Sequence, residues 1–218
     1  MDDQLARILS LLAHELRSPL GVIRGYLGLL NTADGLSDLH QQAVKAALKA
    51  SDRTAELLTQ ASTLAQLRRG ESSIKFGPAP IDTLVSSALD ALKLPADPMV
   101  TLERGTIPSV TIRADAARLR SVFTSLAAAI VRAQTRNGRV VVSGDLHDRD
   151  NTRGVRIRII SESAVSNLNE APLDISKGGL GLDLPIADYL IAAHGGHLSE
   201  LREGDRTAGV VVWLPLPP

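Results

Sequence analysis

Leu5 to Leu30 reads LARILSLLAHELRSPLGVIRGYLGLL, and its leucines decide the fold of the first third of the chain. Leu5, Leu9, Leu12, Leu16, Leu20, Ile23, Leu27 and Leu30 recur at steps of three and four residues, close to the seven-residue repeat of a helical packing seam. At about 1.5 Å per residue such a helix is roughly 44 Å long. Asn31 to Asp38 is rich in Asn, Asp and Gly and reads as a loop. A second seam follows in Leu39, Ala43, Ala46, Ala50, Thr54, Leu57, Ala61 and Leu64. It stops before Arg68-Arg69-Gly70, with cations in the last turn and a glycine just past it. Two helices cannot close a core by themselves. The expected solution is a two-fold dimer forming a four-helix bundle, in preference to packing on the rest of the chain.

From about Ser72 the pattern changes. Pro78, Pro80, Pro95, Pro98 and Pro108 punctuate it. Ile81 to Leu94 looks helical, and Val100 to Glu103 and Ser109 to Arg113 look extended. Asp115 is placed to cap a helix running to about Ala133. Arg139 to Ser143 and Val155 to Ile160 read as strands, the second alternating Val155, Ile157, Ile159 against Arg156 and Arg158. Asn137-Gly138 and Arg149 to Gly154 read as turns. Leu182 to Ala193 reads as a helix closed by Gly195-Gly196, and Val210 to Leu214 as a last strand. The expected class is α+β: a helical hairpin over residues 1–70, then a two-layer α/β sandwich over 71–218.

Composition narrows the function. Lys+Arg and Asp+Glu are both 24, so no net field draws the chain to nucleic acid or anionic lipid. Aromatic residues are 2%, too few for base-stacking platforms. The absence of cysteine excludes thiol catalysis and thiolate metal sites. The apolar runs are short and broken by charge, and Met1-Asp2-Asp3-Gln4 does not resemble a signal peptide. The expectation is a cytoplasmic protein with no nucleic-acid or membrane partner.

His14-Glu15-Leu16-Arg17-Ser18-Pro19-Leu20 carries the chemistry. His14 lies off the Leu12/Leu16 seam, so it faces water, free to titrate and to act as a nucleophile. Arg17 and Ser18 share its face. Pro19 removes one backbone bond from the helix beside it. This stretch resembles the H box, His-Glu-x-x-(Ser/Thr/Asn)-Pro-Leu, of bacterial sensor histidine kinases. The resemblance extends along the chain in family order. Asp115 to Ala133 resembles the N box helix of the GHKL-type ATPase domain. Ser176-Lys177-Gly178-Gly179-Leu180-Gly181-Leu182 resembles the second glycine box, and Ala193-His194-Gly195-Gly196-His197 the segment after it. The resemblance implies that His14 accepts the phosphoryl group, that Glu15 orients the ring and takes its proton, and that Ser18 helps place a water for dephosphorylating a partner regulator. It also implies receiver domains of response regulators as partners.

Other parts of the family pattern are missing. The two N box asparagine positions fall on Ser125 and Ala129, and alanine has no oxygen for Mg²⁺. Where the family has Asp-x-Gly-x-Gly, this chain has Ser161-Glu162-Ser163-Ala164-Val165. Only Gly178, Gly179 and Gly181 remain as an anion-cradling loop before a helix. No cofactor is expected; ATP and Mg²⁺ enter only if Glu162, Ser125 and that loop support an atypical autokinase. The leading expectation is a homodimeric histidine phosphotransferase. An adaptor that carries no phosphate is the third. His194 and His197 read as a helix end rather than a metal pair, and His40 and His147 as solvent-facing. The arginines at 132, 136, 139, 149, 153, 156 and 158 read as a solvated sheet edge.

Overall fold

The computed structural model describes residues 2–33, 35–70, 73–92, 100–133, 138–162, 169–173, 182–204 and 206–217. The chain divides into two compact units, Met1–Ser73 and Ile74–Pro218.

The first unit is an antiparallel helical hairpin of α1 (Asp2–Asn31) and α2 (Asp38–Arg68). The Ser37 hydroxyl caps α2 by accepting the His40 N–H at 3.4 Å. At the far end Arg69 closes the helix and Gly70 takes φ +68°, a conformation suited to glycine. Arg24 and Asp52 pair across the hairpin at 2.8 Å. Leu12, Leu16, Ile23 and Leu30 are 51, 49, 52 and 46% exposed. They lie within about 40° of one another around α1. This seam is therefore an aliphatic row that the second helix does not cover.

The second unit is a six-stranded sheet with helices against one face. Its elements are β1 (Gly77–Pro80), α3 (Ile81–Asp90), β2 (Val100–Arg104), β3 (Thr111–Ala114), α4 (Ala116–Ala133), β4 (Gly138–Leu146), β5 (Gly154–Ser161), β6 (Asn169–Pro172), α5 (Asp183–Ala193), β7 (His197–Glu203) and β8 (Arg206–Pro215). The large sheet has the order β2-β4-β5-β8-β7-β6; β2 is parallel to β4 and the other pairs are antiparallel. Alternation assigns the faces. Val155, Ile157 and Ile159 of β5 and Val210, Val212 and Leu214 of β8 are fully or almost fully buried. They form one core with Leu119, Phe123, Leu126 and Ile130 of α4. Arg156, Arg158, Val211 and Trp213 lie on the opposite, outer face.

Several elements depart from the sequence reading. The helix from Ile81 ends at Asp90 rather than continuing to Leu94; residues 93–99, like Asn137, lie outside the described residues. Gly77–Pro80 is a strand despite two prolines, paired with β3 in a separate small sheet. Ile81 N–H bonds to Val110 C=O at 3.0 Å, so Pro78 and Pro80, of opposite parity, occupy positions whose N–H would point away from β3. β6 and β7 are strands that the sequence reading does not anticipate; in β7, Glu200 puts a carboxylate on the covered face. It is 1% exposed and accepts bonds from Arg202 at 2.7 Å and Thr207 at 2.9 Å. Arg156 and Arg158 stand on an interior strand, not a sheet edge, and both bind Asp145.

Candidate functional site

In the first unit the expected site residues lie on α1. Ala13 is buried, and every residue from His14 to Pro19 is exposed. At about 100° per residue, His14 and Ser18 stand about 40° apart on one face, with Arg17 about 60° from His14 and Glu15 one step round the helix. His14, Glu15, Arg17 and Ser18 make no hydrogen bond or ion pair among the described residues. An imidazole presented this way has a lone pair accessible to an incoming electrophile and no internal contact to break first. Pro19 lies inside the unbroken helix. Having no N–H, it leaves the Glu15 carbonyl without its usual partner four residues on.

The second unit contains the positions that the resemblance assigns to nucleotide binding. Gly178, Gly179 and Gly181 lie outside the described residues, as do Ser163 to Val165. On α4, the Ser125 hydroxyl donates to Val122 C=O of its own helix at 3.1 Å, and Ala129 is 1% exposed. Neither is a metal ligand in this arrangement. Glu162 is exposed and bound to Arg139, whose Nε lies 2.6 Å from Oε2; Arg139 also holds Glu103 at 2.5 Å. The Arg139 hydrogen bond pulls the Glu162 carboxyl below its ordinary value and raises the guanidinium in turn. Glu162 thus closes an ion-pair bridge across β2, β4 and the end of β5 instead of standing free to read a base. The described residues at these positions do not fit magnesium nucleotide. Arg132 in the last turn of α4 pairs with the buried Asp183 at the start of α5 at 2.6 Å.

His194 shows a role that sequence reasoning did not find. It is 6% exposed; Nδ1 lies 2.6 Å from Leu190 C=O, and Nε2 accepts the Asp115 N–H at 3.0 Å. Both ring nitrogens are thereby used. Asp115 in turn caps α4 through the Arg118 N–H at 3.2 Å and holds the Lys75 N–H at 3.0 Å. Burial works against ionising Asp115, but these amides and the Arg118 guanidinium outweigh it and keep the carboxyl below its ordinary range. Gly195-Gly196 signals the helix end but not the buried ring before it. His197 is exposed, as are His40 and His147.

Residues 4–70 match the model of the His Kinase A (phospho-acceptor) domain family. The sensor protein DivL of Caulobacter vibrioides is 29% identical over 212 residues, 93% of this chain and 27% of DivL. The circadian input-output histidine kinase CikA of Synechococcus elongatus is 28% identical over 95% of this chain and 29% of CikA. Residues 4–70 thus match a histidine kinase phospho-acceptor domain, and the chain along nearly its whole length is similar to bacterial sensor histidine kinases. It spans less than a third of the length of these two relatives. Full-length ShkA, solved in complex with AMPPNP, shares the fold with a TM-score of 0.62 and 23% identity, over 97% of this chain and 45% of ShkA. The histidine kinase ThkA, solved in complex with the response regulator TrrA, gives 0.63 and 15% over 97% of this chain and 62% of ThkA. The two units thus share the folds of these histidine kinases, a helical hairpin and an α/β sandwich. No helix among the described residues is long and apolar enough to cross a membrane.

Proposed function

We propose that this chain acts as a histidine phosphotransferase in a two-component phosphorelay, carrying a phosphoryl group on His14 between the aspartates of receiver domains. The supporting observation is a contrast: His14 is exposed and unbonded on α1, whereas Ala129 is buried without an oxygen to offer and Glu162 is tied to Arg139. In the forward step an imidazole nitrogen of His14 attacks the phosphorus of an aspartyl phosphate. The phosphorus–oxygen bond to the aspartate breaks, and its electron pair returns to that carboxylate. Glu15 takes the proton released from the other ring nitrogen, and the reverse sequence loads a second receiver. Such transfer asks a protein for positioning more than for covalent chemistry. Ser18 beside His14 orients water when a receiver is dephosphorylated.

The protein works as a homodimer, the row Leu12, Leu16, Ile23 and Leu30 of one hairpin meeting that of another. Incubation with a phosphorylated receiver should place acid-labile phosphate on His14 and none on a His14→Ala chain. Labelling from ATP and Mg²⁺ without any receiver would replace this reading by an autokinase. Absence of label from either donor, across a range of receivers, would leave only a non-phosphorylated adaptor.

A further inference from the structure

We infer that the outer face of the sheet carries a binding pocket for a compact organic oxyanion that also bears a hydroxyl or amino group. A cavity of about 220 Å³ lies there, lined by residues of the second unit alone. Strand register builds its floor: Arg156, Trp213 and His197 stand side by side on β5, β8 and β7, with Val211 and Ser199 in the adjoining row. The β4–β5 turn supplies His147 and Arg149, and β6 supplies Glu170.

The turn is fixed in place. Asp150 and Asn151 take φ 49° and 61° between the bridged residues Arg149 and Thr152, as a tight hairpin turn requires. The Trp213 indole N–H donates to His147 C=O at 2.8 Å, tying the hairpin to the sheet. Gly154 lies against the same indole, where a Cβ would come within 2.3 Å of the ring.

The polar groups are oriented but not exhausted. Arg156 gives Nε and Nη2 to Asp145 at 3.2 and 2.7 Å, and its Nη1 has no partner among the described residues. Arg149 touches only Asp150, through Nε at 3.5 Å, so its terminal nitrogens remain open. The His147 and His197 rings make no hydrogen bond among the described residues. Two guanidinium groups with open N–H donors form a fork that suits phosphate or carboxylate. Glu170 spends one oxygen on the buried Ser199 hydroxyl at 2.5 Å, and the other has no partner there. That second oxygen calls for a donor on the ligand, which is why a bare inorganic anion satisfies only half of the site. The volume excludes a nucleotide-sized molecule.

Trp213 is the only tryptophan of the chain, so its fluorescence reports on this pocket alone. The full chain is titrated at constant ionic strength with O-phospho-L-serine and with L-malate, against chloride. The expected result is a saturable change with one of them, weakened about tenfold or more by Arg149→Gln, whose melting temperature should match the parent. Saturation by phosphoserine assigns a phosphate ester, and saturation by malate a hydroxy acid. No saturation by either below about 10 mM, or an equal response in Arg149→Gln, would overturn the inference. Phosphotransfer by His14 is a separate measurement and bears on neither result.

Discussion

His14 lies within α1 and His194 caps the end of α5, and their surroundings differ sharply. His194 spends both nitrogens on backbone groups of Leu190 and Asp115. Replacing it by phenylalanine strands the buried Asp115 N–H, whereas the Leu190 carbonyl keeps the backbone N–H of residue 194; the expected cost is about 1–3 kcal/mol, and the urea midpoint measures the loss. Asp115 supplies a pH dependence whose sign is fixed. Its carboxyl titrates lower in the folded chain than in the unfolded one, so its contribution is complete above the unfolded value of about 4 and vanishes as pH falls through the folded one. Thermal melts between pH 6 and 3 should show Asp115→Asn less stable near neutrality and with a flatter acid limb. If the limb is unchanged, Asp145, also held low by its guanidinium partners against burial, carries the effect instead. On α1, Ser18→Ala should leave phosphate uptake by His14 intact while slowing loss of phosphate from a bound receiver.

At the level of elements, the hairpin was the most legible part of the sequence, because leucine spacing, the loop and the Arg-Arg-Gly stop all agree. The exposure of His14 was legible for the same reason, since it lies off the seam; its role was offered only by the resemblance of the stretch around it. Strands were harder where a charge lies inside or a proline sits in register. Glu200 and Pro78 each break the alternation that would announce β7 and β1, and tertiary partners excuse both. The Asp145–Arg156 pair was within reach. A turn centred on Asp150-Asn151 sets those two residues opposite one another, as the register has them. Nothing local could have announced the Glu103–Arg139–Glu162 bridge, whose members come from three separate strands or strand ends. Two element-level outcomes are checkable. Pro19→Ala restores a donor to the Glu15 carbonyl and should stabilise α1 by up to about 3 kcal/mol, read as a higher melting temperature of the chain. Gly196→Ala places a Cβ 2.5 Å from Trp213 C=O, between α5 and β7. It should destabilise by about 1–3 kcal/mol, read from denaturant unfolding.

For the molecule as a whole, the aliphatic row on α1 is the surface on which the proposed dimer rests. Leu16→Asp or Ile23→Glu should convert a dimer to a monomer in sedimentation equilibrium while the circular dichroism of the sandwich stays in place. A monomeric parent chain would remove the bundle from the proposal without touching His14. One further consequence comes from the single parallel pair in the sheet. β2 reaches β4 only after the chain has passed through β3 and α4, whereas β4 and β5 meet across a turn of a few residues. Short excursions close quickly and long ones slowly. The hairpin of β4 and β5 therefore gathers before β2 is stitched on during refolding. In deuterium-labelling experiments the amides of Val100 to Arg104 should open ahead of those at the centre of the sheet, so the margin that forms later is also the sooner to let go.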